Sequence, residues 1–200
     1  MLPILLNLTG KCVLIVGGGT VGRRKARAAI AGGATVRVVA LEPRPEGWTA
    51  IEWLHEPYRE EQLVGVALVV AAATADVNER VVRDARRRGV WVNSATDPAV
   101  GDFALPAVVR RGELTIAVNT GGAAPALARR IREKLETEFD DTFATWVRLL
   151  DAIRALAHER VPDPARRRDL LDGFADWPWL ERLRAEGEAA IWRAMLERVG

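Results

Sequence analysis

Residues Gly17 to Glu42, GGGTVGRRKARAAIAGGATVRVVALE, constrain this chain more than any other stretch. They follow CVLIV, an apolar run of strand length that stops at glycines, as a strand buried on both faces does. Arg23 to Ile30 read as a helix ended by Gly32-Gly33, and TVRVVALE as a second strand. Gly17, Gly19 and Gly22 thus form G-x-G-x-x-G between a strand and a helix. There Gly17 permits a tight turn, Gly19 the close approach of a phosphate, and Gly22 the packing of helix on strand. Backbone N–H groups and the positive end of the helix would face a pyrophosphate.

Glu42 stands about 20 residues past Gly22, where an acid accepts hydrogen bonds from the adenine ribose hydroxyls. The glycine pattern alone is weak in a chain with 17 glycines, and a purely structural turn is the competing reading. The strand before it, the helix after it and the acid favour a bound dinucleotide. The expected cofactor contacts are Gly17, Gly19, Thr20, Val21 and Gly22, then Leu41 and Glu42, then Ala73 and Thr74 at the end of a later strand. Thr74 serves equally well as a helix N-cap. An acid at Glu42 favours NAD over NADP, because a 2′-phosphate would meet like charge; Arg44 argues the other way.

ALVVAAAT reads as a further buried strand, DVNERVVRDARRRG as a helix closed by Gly89, and VWVNSA as another strand. Strands alternating with helices imply an α/β, Rossmann-type parallel sheet. From Asp102 the rhythm changes. DFALPAVVRRGELTIAVNTGG reads as two strands turning at Arg111-Gly112, and AAPALARRIREKLETEF as a helix with Pro125 in its first turn. The tail has helical pattern broken at Pro162, Pro164, Gly173 and Pro178. The expected organisation is a nucleotide domain over 1–101, a dimerisation segment over 102–139 and a small helical domain over 140–200.

Composition narrows the function classes. Of 29 basic residues 26 are arginine, yet the formal net charge is only +2, and no nucleic-acid reader motif is present, so nucleic acid is not the expected partner. Cys12 is the one cysteine, and His55 and His158 are the only histidines, with no ligand spacing between them; no metal site is expected. The apolar start MLPILLNL lacks a basic n-region, and no later run reaches the roughly 20 apolar residues of a membrane span. A cytoplasmic protein without export is expected. Trp146, Trp177, Trp179 and Trp192 are expected in the core or a dimer contact rather than as a ring-stacking platform.

The order of LNLTGKCVLIVGGGTVGRRKARAAIAGGATVRVVALE, VVAAATADVNERV and VNSATDPAVGDFALPAVVRRGELTIAVNTGGAAPALARRIREKLE resembles the precorrin-2 dehydrogenases, also found as the front half of siroheme synthases. The resemblance covers about Leu2 to Leu135 and is most specific where GGGTVGRRKA is joined to DFALPAVVRRGELTIAVNTGGAAPALARRIRE. It implies NAD-dependent oxidation of precorrin-2, a tetrapyrrole, to sirohydrochlorin by a homodimer, and in some members insertion of a metal such as ferrous or cobaltous ion as a substrate. It also implies that arginines meet the substrate's acetate and propionate carboxylates. Relatives commonly carry an aspartate three residues after the Asn of the VN strand, proposed as a general base. Counting from Asn93, that place is Thr96, with Asp97 one step later. A hydroxyl does not replace a carboxylate as a base near neutral pH, so Asp97 is the catalytic candidate and metal insertion the less secure activity. Asp97 in TDP is equally a turn residue ahead of Pro98. The serine before GG in some relatives is Thr120 here. With the chain ending at Gly200, a stand-alone dehydrogenase without a methyltransferase half is expected. The competing reading, from another class, is a non-catalytic NAD-sensing regulatory module.

Overall fold

The computed structural model describes residues 1–49 and 51–200, which divide into two compact units, Met1–Leu105 and Pro106–Gly200. The first unit is built on strands β1 (Cys12–Val16), β2 (Thr35–Val39), β3 (Glu52–Leu54), β4 (Val66–Ala71) and β5 (Trp91–Ser94), with helices α1 (Thr20–Ala31) and α2 (Ala75–Arg88). All four strand pairings are parallel, in the order β3-β2-β1-β4-β5. This is the α/β Rossmann-type arrangement, with its switch point between β1 and β4.

Period-two alternation explains why both faces of the sheet are apolar. Val13 and Ile15 of β1 join Val36, Val38, Leu68, Val70 and Ala26 of α1 on one face. Leu14 and Val16 join Val39, Val69, Ala71 and the α2 residues Val81, Val82 and Ala85 on the other. Helix α2 ends where Gly89 adopts the left-handed conformation (φ 67°), and Arg86, Arg87 and Arg88 occupy its negative last turn.

Strand β3 was not expected. Its three residues lie in the polar context IEWLH and pair only with β2, with Glu52 binding Arg37 at 2.8 Å. So short an edge strand carries no apolar run to read.

The second unit opens with the antiparallel hairpin β6 (Ala107–Arg111) and β7 (Leu114–Val118), followed by α3 (Pro125–Glu138), α4 (Thr142–Arg160), α5 (Pro164–Phe174), α6 (Trp177–Glu186) and α7 (Glu188–Val199). Phe143, Trp146, Leu149, Ile153 and Ala157 recur at helical spacing along α4 and meet Phe174, Leu180, Leu183, Ile191 and Met195. Trp146 and Trp179 are buried here and Trp192 packs against this cluster, whereas Trp177 is 60% exposed. Gly173 sits inside α5, and Pro178 is tolerated in the first turn of α6. The break between α6 and α7 is made instead by Gly187 (φ 83°).

Candidate functional site

The carboxyl edge of the parallel sheet carries the expected cofactor residues, and each glycine there has a distinct physical reason. Gly17 (φ 110°) bonds its N–H to Val39 O at 2.8 Å, and a Cβ on it would overlap the Ala72 carbonyl. A Cβ on Gly22 would overlap the Gly17 carbonyl, so Gly22 is what lets α1 close onto the turn. A Cβ on Gly18 would lie 2.8 Å from both the Ala40 methyl and the Trp53 ring. Gly19 differs from all three: a Cβ there would come near only Glu42 Oε1, at 3.9 Å. The fold leaves the space above Gly19 open, which fits a group approaching from outside the protein.

The N-terminus of α1 is equally unprovided for. Its first internal bond is Arg23 N–H to Gly19 O at 3.0 Å; there is no side-chain cap and no acidic residue in the first turn. The N–H groups of Thr20, Val21 and Gly22 therefore precede the helical ladder at the positive end of the dipole. Thr20 is exposed and Val21 is 40% exposed. By contrast α5 is capped by Asp163, which accepts from Ala165 N–H at 3.0 Å.

Glu42 reaches over this loop from the end of β2. Its Oε2 accepts from Gly18 N–H at 3.4 Å, and its main-chain carbonyl is held from β3 by Trp53 Nε1–H at 3.0 Å. His55 Nδ1 lies 3.3 Å from the same oxygen, a hydrogen bond when that nitrogen carries the proton. Leu41, beside it, is 68% exposed. An open space over Gly19, uncapped N–H groups and a carboxylate bonded to the turn are donors and acceptors of the kind a dinucleotide takes.

On the other side of β1 the chain is tied by Asn78, a buried residue of α2. Ala73 N–H donates to its Oδ1 (2.9 Å), and its Nδ2 donates to Ala73 O and to Thr96 Oγ1, both at 3.2 Å. Thr74 takes the N-cap position of α2 without a side-chain cap bond. Thr96 Oγ1 also lies 3.2 Å from Ser94 Oγ, which accepts from Asp97 N–H at 3.2 Å. Asp97 is exposed, and its Oδ1 accepts from Ala99 N–H at 3.0 Å. Thr96 and Asp97 thus stand together at the end of β5, and Asp97 does hold the turn before Pro98–Val100.

Sequence reasoning missed Asn78, Ser94, Trp53, His55 and the pair Lys25–Asn93, in which Nζ donates to Oδ1 at 2.6 Å. The NERVV and VNSA stretches offered polar residues inside apolar patterns, the one signal that could have marked Asn78 and Asn93. Thr120 lies in the second unit, where its hydroxyl accepts from Ala124 N–H at 3.3 Å. Among the described residues no group of three or more His, Cys, Asp and Glu side chains is gathered to hold a metal ion, and no helix is long and apolar enough to cross a membrane.

Comparison with known proteins agrees with this geometry. Residues 4–107, just over half the chain, match a family described as NAD(P)-binding, and residues 111–138 match one described as sirohaem biosynthesis protein central. The chain is 37% identical over 205 aligned residues to a siroheme synthase of Pseudomonas fluorescens (strain SBW25), covering 99% of this chain and 44% of that protein. It is 36% identical to the siroheme synthase of Chromobacterium violaceum, covering 98% of this chain and 43% of that protein. The chain therefore spans less than half the length of these curated relatives. Among solved structures it is similar to SirC, a precorrin-2 dehydrogenase, with a TM-score of 0.80 and 28% identity over 100% of this chain and 98% of that one.

Proposed function

Because the chain belongs to the NAD(P)-binding family of siroheme synthases and precorrin-2 dehydrogenases, we propose that it oxidises precorrin-2 to sirohydrochlorin with NAD. The observation that carries the reading is the open Gly19 cradle beside an uncapped α1 N-terminus, with Glu42 reaching across it. SirC, which is similar over nearly its whole length, supplies the substrate. A bound nicotinamide would supply the hydride acceptor.

The chain's own residues do the rest. Thr20, Val21 and Gly22 offer N–H groups to the diphosphate, and Gly17 and Gly22 keep the turn close enough for Gly19 to receive it. Leu41, Ala73 and Thr74 border the cleft, with Asn78 holding Ala73 in place. Glu42 takes the ribose hydroxyls and repels a 2′-phosphate, so NAD is preferred to NADP. Loss of a hydride leaves a proton to be removed, and we assign it to Asp97: Oδ1 is engaged by Ala99 N–H, and Oδ2 is the oxygen that receives the proton. Ferrous or cobaltous ion remains a second candidate substrate, with Thr96 in the position of the relatives' aspartate. The assembly we propose is a C2 homodimer formed by residues 102–139, between a nucleotide domain over 1–101 and a helical domain over 140–200, working in the cytoplasm.

Turnover by variants tests the proton assignment. Asp97→Asn is expected to keep NAD affinity and lose roughly 10²–10⁴-fold in rate, the usual worth of positioned acid–base catalysis. A rate within a few-fold of wild type would show that the proton leaves by another route. Thr96→Asp is the companion: a gain in metal insertion without a gain in oxidation is the expected result.

A further inference from the structure

Lys25 is one of three lysines, with Lys11 and Lys134, in a chain that otherwise uses arginine for its basic residues. It lies one turn past Gly22, and helical side chains lean toward the helix N-terminus, so its stem runs back toward the carboxyl edge of the sheet. There Nζ donates to Asn93 Oδ1 at 2.6 Å. Asn93 is 5% exposed, and its Nδ2 donates to Phe103 O at 2.8 Å, which turns the amide oxygen toward the lysine.

Sheet register gives the ammonium its place. Asn93 pairs with Val70, and Val70 with Ile15, so Lys25 reaches β5, on the side of β1 opposite to β2 and Glu42. A dinucleotide with its ribose at Glu42 and its diphosphate at α1 would direct its reacting end to this side.

The energetics of the group are unbalanced. Among the described residues Lys25 has no carboxylate within salt-bridge distance; its partner is a neutral amide. Burial, then the charge of Arg24, pushes its pKa below the ordinary lysine value. Arg37 and Arg182, the other basic side chains with a marked shift, are raised by a hydrogen-bonded glutamate. A half-buried cation without a counter-charge is costly, and an anionic ligand removes that cost.

We propose that the Lys25 ammonium is an oxyanion anchor on the β5 side of the glycine loop and takes a carboxylate of the tetrapyrrole substrate. This rests on the reading of the chain as acting on a polycarboxylate tetrapyrrole. The cofactor diphosphate is the other source of the same chemistry, but the N–H groups of Thr20 to Gly22 already serve it.

Wild type, Lys25→Met and Lys25→Arg distinguish these sources when each is titrated with NAD⁺ by calorimetry and with sirohydrochlorin by its absorbance, and melted by heat. Lys25→Met is expected to weaken sirohydrochlorin binding by roughly tenfold or more, the worth of a charge-assisted hydrogen bond, with NAD⁺ affinity unchanged. Lys25→Arg is expected to restore it. A loss confined to NAD⁺ would assign the lysine to the diphosphate and overturn the proposal. Unchanged titrations, or equal losses of both ligands with a lowered melting point, would reduce Lys25 to a tie between α1 and β5. Should the methionine variant fail to fold, Lys25→Gln, which keeps a polar end, gives the same comparison. Wild type that binds NAD⁺ but no sirohydrochlorin would bring down the tetrapyrrole reading and the anchor together, an outcome distinct from a silent variant.

Discussion

Single residues at the glycine turn separate fold from function, and substitution by alanine tells them apart. Gly17→Ala meets both a positive φ and the Ala72 carbonyl, and is expected to destabilise the fold by about 2 kcal/mol or more in denaturant unfolding. Gly19→Ala meets neither, so the fold should lose no more than about 1 kcal/mol while NAD affinity falls, because the added methyl occupies the open cradle. Equal loss of stability in the two variants would count against an open approach at Gly19. Glu42→Ala should weaken NAD binding by about 1–3 kcal/mol and spare NADP, since a hydrogen bond to a charged group is removed along with a like charge. Calorimetric titration of both cofactors checks this; wild type that binds NADP as tightly as NAD contradicts the role given to Glu42.

Elements decide where those residues stand. Strand β3, an edge strand of three residues, holds the main chain of Glu42 through Trp53 Nε1–H, and the same ring lies against Gly18. Trp53→Phe keeps an aromatic ring in that place and removes the donor. Its expected effect is a reduced ratio of NAD to NADP affinity, measured in the same titrations; proportional loss for both cofactors would make Trp53 a packing residue only. This element also marks the limit of what was legible. Strands β1 and β4 are written in apolar runs, the ends of α1 and α2 in glycine stops, and the hairpin at Gly112 and α3 at Pro125 in turn chemistry. Strand β3 has no such run, and the links made by Asn78, Ser94 and Asn93 depend on pairings across strands that no local pattern encodes. The glycine turn and Glu42 were readable because their spacing is local. Lys25 was not, because its partner lies 68 residues away.

At the scale of the whole molecule, assembly and activity are both open to direct measurement. Leu127 and Ile131 of α3 are 51% and 37% exposed, apolar surface that a partner copy would cover in the C2 dimer proposed for this segment. Light scattering at micromolar protein is expected to give twice the chain mass of 22.0 kDa, and the monomer mass would contradict the dimer. The most direct test of the central claim is to mix purified wild-type protein with NAD⁺ and freshly made precorrin-2 under anaerobic conditions and follow NADH and sirohydrochlorin together by absorbance. The account predicts that both rise at one-to-one stoichiometry, and faster with NAD⁺ than with NADP⁺. NAD⁺ binding without any NADH, at protein concentrations that saturate the cofactor, would contradict it and leave a nucleotide-binding module in its place.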